Sequence, residues 1–137
     1  MTAPGEGEVT SESPHPGLLI TIVEDNPLIR QLMAEEIEDE GHRVRSFSSA
    51  EDFLAVASNL RTDLILLDLM LPGMDGLACL RELQRTPSQT SHRVVVVTAL
   101  NDPATRQQAL NLGAEDYILK PDVFERLPQL LGALKTD

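Results

Sequence analysis

Two stretches of this chain, Leu64-Ile65-Leu66-Leu67 and Val94-Val95-Val96-Val97, contain no polar side chain. Successive side chains of a strand face opposite sides, so an unbroken apolar run of this length demands cover on both faces. Helical patterns follow both runs: Leu77, Leu80 and Leu83 after the first, and Pro103 to Leu112, ending at Gly113, after the second. The alternation extends outward. Leu18 to Val23 reads as a strand, after which Asn26 and Pro27 cap and start a helix with the stripe Leu28, Ile29, Leu32, Met33 and Ile37, stopped at Gly41. Arg43 to Phe47 alternates as a shorter strand, and Ser49 caps a helix carrying Phe53, Leu54 and Val56. Tyr117 to Leu119 forms a last strand and the segment from about Val123 to Leu134 a last helix. Right-handed crossovers place such helices on both sides of a parallel sheet, so the expected class is α/β, doubly wound, with a five-stranded parallel sheet and flanking helices.

At 137 residues there is room for one domain and one core. Residues 1–16 carry almost no large apolar side chain and read as a disordered acidic tail, leaving 17–137 as the folded unit. The net charge of −11, with no stripe of Lys or Arg, argues against direct nucleic-acid binding. Much of that charge belongs to a solvated helix face with Glu35, Glu36, Glu38, Asp39 and Glu40. No run reaches the length of a membrane span and no secretory signal opens the chain, which points to a cytoplasmic protein. Cys79, beside Leu77 and Leu80, reads as a small core residue.

In doubly wound folds ligands bind beyond the carboxyl ends of the strands. The residues leaving those ends here are Glu24 and Asp25, Asp68, Thr98, and Lys120. Three carboxylates gathered there would repel one another unless a cation joined them, and an all-oxygen set favours Mg²⁺ or a similar ion such as Mn²⁺. A metal alone would not need Thr98 and Lys120. A phosphoryl group would, because it presents several anionic oxygens to separate donors.

Glu24-Asp25-Asn26, the run from Asp68-Leu69-Met70-Leu71-Pro72 to Gly73-Met74-Asp75-Gly76, Thr98-Ala99, and Tyr117-Ile118-Leu119-Lys120-Pro121 together resemble the receiver domains of two-component response regulators. Gly113-Ala114 before the last strand fits the same order, and the likeness runs from about residue 17 to the end. The resemblance implies a flavodoxin-like fold and a phosphorelay role in signal transduction, as a phosphoprotein switch and not an enzyme. Asp68 would be the phosphoacceptor, supplied by a sensor histidine kinase, a histidine phosphotransfer protein or a small phosphodonor. Asp25, Asp68 and the Met70 backbone carbonyl would bind Mg²⁺, with Glu24 acting largely through water. Lys120 and Thr98 would hold phosphoryl oxygens, Tyr117 would turn inward as Thr98 moves, and the Lys120-Pro121 bond would be cis.

Some residues fit the pattern less closely. Pro128 falls inside the expected final helix, where it would bend the axis. His15, His42 and His92 suit neither a phosphodonor nor a metal ligand. A dehalogenase-type phosphatase, the rival from another class, usually carries an acid two residues after its nucleophile, where this chain has Met70. A receiver that binds partners without phosphorylation is disfavoured because every residue for the chemistry is present. The downstream protein target, a homodimer, and the choice between a stand-alone receiver and part of a longer regulator stay open.

Overall fold

The computed structural model describes residues 17–85 and 93–135. The expected tail with His15, and His92 with its neighbours, lie outside them. Five strands, β1 (Leu19–Val23), β2 (Arg43–Phe47), β3 (Leu64–Leu67), β4 (Val94–Thr98) and β5 (Asp116–Leu119), alternate with helices. These are α1 (Pro27–Asp39), α2 (Ala50–Ala57), α3 (Gly76–Arg85), α4 (Pro103–Asn111) and α5 (Lys120–Lys135). The sheet is parallel throughout, in the order β2-β1-β3-β4-β5. The direction in which successive strands are added across the sheet therefore reverses between β1 and β3, which opens a crevice above their carboxyl ends.

Alternate residues of the covered strands feed two cores. Val23, Ile65, Leu67, Val94, Val96 and Tyr117 pack with Phe53, Ala57, Leu80, Leu83 and Ala109 of α2, α3 and α4. On the opposite face Ile20, Ile22, Leu64, Leu66, Val95 and Val97 meet Met33 and Ile37 of α1 and Val123, Leu127 and Leu131 of α5. Each buried aliphatic side chain contributes about 2 kcal/mol of apolar transfer, so the all-apolar strands are the main anchor of the fold. Cys79 is fully buried in the first core, as expected, and burial pushes its thiol up to about 12.

The structure corrects three expectations. On α1 only Met33 and Ile37 are buried, while Leu28 and Leu32 are 62% and 40% exposed. The last helix starts at Lys120, not near Val123, and no described peptide bond is cis. Pro121 takes the second position of α5, where a missing N–H leaves no helical bond unmade, so proline suits a trans helix start. Pro128 does lie within α5, where it removes the bond to the Phe124 carbonyl and crowds that turn. Pro128→Ala is expected to raise stability by about 1–3 kcal/mol, read as a higher denaturation midpoint at unchanged slope.

Helix α4 is held differently. Ala109 is its one buried residue, and its start is fixed by Asp102, whose carboxylate accepts the Thr105 N–H at 3.3 Å and the Thr105 hydroxyl at 2.5 Å. The hydroxyl bond holds the Asp102 carboxyl below the usual range. A depressed acid stabilises the fold fully above its ordinary value and loses that contribution as pH falls through the depressed one. Acid should therefore lower the protection factors of the amides in the first turn of α4, measured relative to their intrinsic exchange rates, and Asp102→Asn should remove that loss with pH.

Candidate functional site

The parallel register sets the site. Val23 of β1 lies opposite Leu67 of β3, so the next residues, Glu24 and Asp68, leave the sheet side by side. Their backbones stay tied to the sheet by Glu24 N–H to Phe47 O at 3.0 Å and Asp68 N–H to Val23 O at 3.1 Å. Thr98 pairs with Leu119, which brings Lys120 to the same end. Gly76 opens α3 against this corner: a Cβ there would run into the Asp68 carbonyl and the Leu69 Cα, so only glycine lets the helix close on the acceptor strand.

Glu24, Asp25 and Asp68 each offer an oxygen, and those oxygens lie within 4.8 Å of one another. Glu24 and Asp68 are buried while Asp25 is exposed, so the cluster opens to solvent on one side. Lys120 Nζ sits 3.0 Å from Glu24 Oε1 and 3.0 Å from Asp68 Oδ2, one cation between two buried anions. Burial pushes the Glu24 carboxyl above its usual value, against the Asn26 N–H and Lys120 that favour its charge. Burial also pushes the Lys120 ammonium down, but its bonds to Asp68 and Glu24 outweigh that and hold it above its usual value. The site is therefore short of positive charge even with Lys120 in place.

Local bonds orient the acids. Asn26 caps α1 by accepting the Leu28 and Ile29 N–H groups, and its own N–H donates to Glu24 Oε2 at 3.0 Å. Arg30 reaches back from α1 to the carbonyl oxygens of Glu24 at 2.7 Å and Asp25 at 3.3 Å. Asp68 Oδ1 accepts the Met70 N–H at 3.0 Å. Asp68 Oδ2 lies beside the Lys120 charge but receives no aligned hydrogen bond, a buried oxygen still able to take a cation or a new bond.

Thr98 and Tyr117 meet through a third residue. The Thr98 hydroxyl oxygen accepts the Leu100 N–H at 3.3 Å, and the Tyr117 hydroxyl donates to the Leu100 carbonyl at 2.5 Å. Tyr117 is thus already inward, and burial, with the nearby Asp102 and Asp68 charges, raises its phenol. The Arg30 and Leu100 contacts escaped the sequence reading because each joins backbone groups, which residue types do not announce.

Together the site offers three carboxylates, one ammonium and one buried hydroxyl at the carboxyl end of the sheet. Such a set can neutralise a divalent cation and an attached phosphoryl group at once.

A family model described as the response regulator receiver domain matches residues 20–132. The transcriptional regulatory protein AfsQ1 of Streptomyces coelicolor is 39% identical over 106 residues, 77% of this chain and 45% of that protein. BaeR of Escherichia coli O6:H1 is 39% identical over 120 residues, 85% and 49% of the respective chains. The chain spans about half the length of these curated relatives or less. Among solved structures, the receiver domain of the sensor histidine kinase PA1611 of Pseudomonas aeruginosa, with a magnesium ion coordinated in its active site cleft, aligns at TM-score 0.78. It is 27% identical, over 88% of this chain and 99% of that one.

Proposed function

This chain belongs to the response regulator receiver domains of two-component systems, and from that premise we propose that Asp68 is its phosphoacceptor. The observation that carries the assignment is the buried Asp68 carboxylate, 3.0 Å from Lys120 and grouped with Glu24 and Asp25. An Asp68 oxygen attacks phosphorus, the P–N bond of a phosphohistidine breaks with its electron pair returning to the imidazole, and an acyl phosphate forms on Asp68. The donor is a sensor histidine kinase or a histidine phosphotransfer protein. The target is a downstream protein. We place this exchange in the cytoplasm; no helix among the described residues is long and apolar enough to cross a membrane.

The donor set fits Mg²⁺: hard oxygens, no sulfur or imidazole, one exposed carboxylate and one buried oxygen without an aligned hydrogen bond. Asp25, Asp68 and the Met70 carbonyl would hold it, with Glu24 through water. When bound, Mg²⁺ supplies positive charge to the phosphoryl oxygens as their charge redistributes. Lys120 holds another of those oxygens, and Thr98 turns its hydroxyl to donate to a third, a movement that draws its oxygen away from the Leu100 N–H it accepts at rest. The released Leu100 peptide then frees the Tyr117 hydroxyl to settle anew, shifting the surface of α4, β5 and α5.

Intact-mass measurement after incubation with Mg²⁺ and acetyl phosphate tests the proposal. One phosphoryl group per chain that disappears without Mg²⁺ is the expected result; many equivalents of donor hydrolysed per chain would instead indicate an enzyme with turnover. Folded, Mg²⁺-loaded protein without any adduct would refute the assignment. Mg²⁺ alone should also raise the melting temperature by several degrees, since a ligand at 100 times its Kd adds about 2.7 kcal/mol. Asp25→Asn should remove most of that rise.

A further inference from the structure

The loop between β3 and α3 carries Asp68 at its start and the Met70 peptide two residues on, so its shape decides where these groups sit. Its near end is held by the buried Leu69 and Leu71 and by the Gly76 N–H bonded to the Leu69 carbonyl at 3.0 Å. The far tip is held from another element. Glu51, the second residue of α2, accepts the Met74 N–H on Oε2 at 2.9 Å. Gly73, at φ 72°, brings its Cα flat against the same carboxylate: a Cβ there would lie 2.5 Å from Oε2. The left-handed glycine and the carboxylate are fitted to each other, since any side chain at 73 would be strained and would displace the acid.

From this contact we infer that Glu51 is a positioning residue for the phosphoryl site, holding the β3–α3 loop so that the Met70 carbonyl stands ready for the cation. The inference rests on the function proposed above and assigns part of its control to a residue on a different helix. The Met74 N–H also keeps the Glu51 carboxyl below its usual value, so the acceptor stays charged at neutral pH. The N–H of Glu51 itself, in the first turn of α2, further favours that charge. Groups that orient metal ligands without touching the metal typically govern about tenfold or more in affinity.

The test is Mg²⁺ titration by calorimetry on the full chain, with amide exchange read at Met74. Glu51→Ala should bind Mg²⁺ about tenfold more weakly and exchange the Met74 amide faster. Glu51→Gln, which keeps an acceptor oxygen, should stay close to the parent. Asp52→Ala removes an acid from the same first turn without touching the loop and should leave Mg²⁺ affinity unchanged. Binding is reciprocal, so Mg²⁺ must in turn slow Met74 exchange in the parent protein, a readout that needs no variant. Parent-like affinity in Glu51→Ala, an equal loss in Asp52→Ala, or Met74 exchange indifferent to Mg²⁺ would overturn the role of Glu51 and leave the phosphoacceptor assignment standing. A parent chain that binds no Mg²⁺ would overturn both.

Discussion

Asp68→Asn should abolish phosphoryl uptake while leaving the protein about as stable as the parent or more so. The amide keeps the shape of the side chain and an oxygen for the Met70 N–H, which is 3.0 Å from Oδ1 in the parent. What it loses is the anionic nucleophile, and the other buried carboxylate, Glu24, is already engaged with Asn26 and Lys120. Uptake from a small phosphodonor should fall by a factor of about 10³ or more, to background in an intact-mass assay. Stability runs the other way. Removing one charge from three carboxylates whose oxygens lie within 4.8 Å relieves repulsion, and Lys120 keeps Glu24 as partner. The unfolding free energy should lie within about 1 kcal/mol of the parent or above it. A variant that simply unfolds, or one that still takes up phosphate, would contradict the assignment.

Lys120→Met should damage both properties. The ammonium bridges Glu24 and Asp68, whose side chains are 2% and 1% exposed, and its removal leaves two buried anions facing each other. Breaking a buried pair from one side costs about 3–5 kcal/mol. Lys120 is itself 21% exposed, so solvent screens part of this and about 2 kcal/mol is the expected loss. The transfer rate should fall by a factor of about 10²–10³, comparable with removing a fixed donor from a site of developing charge. Mg²⁺ should recover much of the stability and little of the rate, because it can neutralise the acids without occupying the lysine's place. Denaturation with and without Mg²⁺, beside single-turnover rates, separates the two losses; equal recovery of both would show that Lys120 serves only to balance charge.

The strands were the most legible part of the chain, for a physical reason. Val94 to Val97 can satisfy neither face in water, so their burial follows from composition alone. The α1 stripe was less so. Leu28 and Leu32 form one row on that helix and Ile29, Met33 and Ile37 an adjacent one, and both rows have helical spacing; only the sheet beneath decides which is inside. The start of α5 was misplaced because proline reads as a breaker, although in the first turn it is harmless. The charged residues of the site could be picked out because strand order places strand ends together. Arg30 and Glu51 could not, since their partners are backbone carbonyls in one case and a backbone N–H in the other, and nearly every residue carries those.

The way the helices are fastened to the sheet has a consequence for the direction in which a signal can travel. Helix α5 is riveted by Val123, Leu127, Leu131 and Leu134, whereas α4 is held by the buried methyl of Ala109 and the half-buried Leu110. Sliding α4 forfeits at most about 2 kcal/mol of apolar contact, but lifting α5 would forfeit several times that. One hydrogen bond regained or lost at Thr98 is worth about as much as the first and far less than the second. The molecule is therefore a lever with a fixed fulcrum at α5 and a loose arm at α4, and the small work of capturing one phosphoryl oxygen can be spent only on that arm.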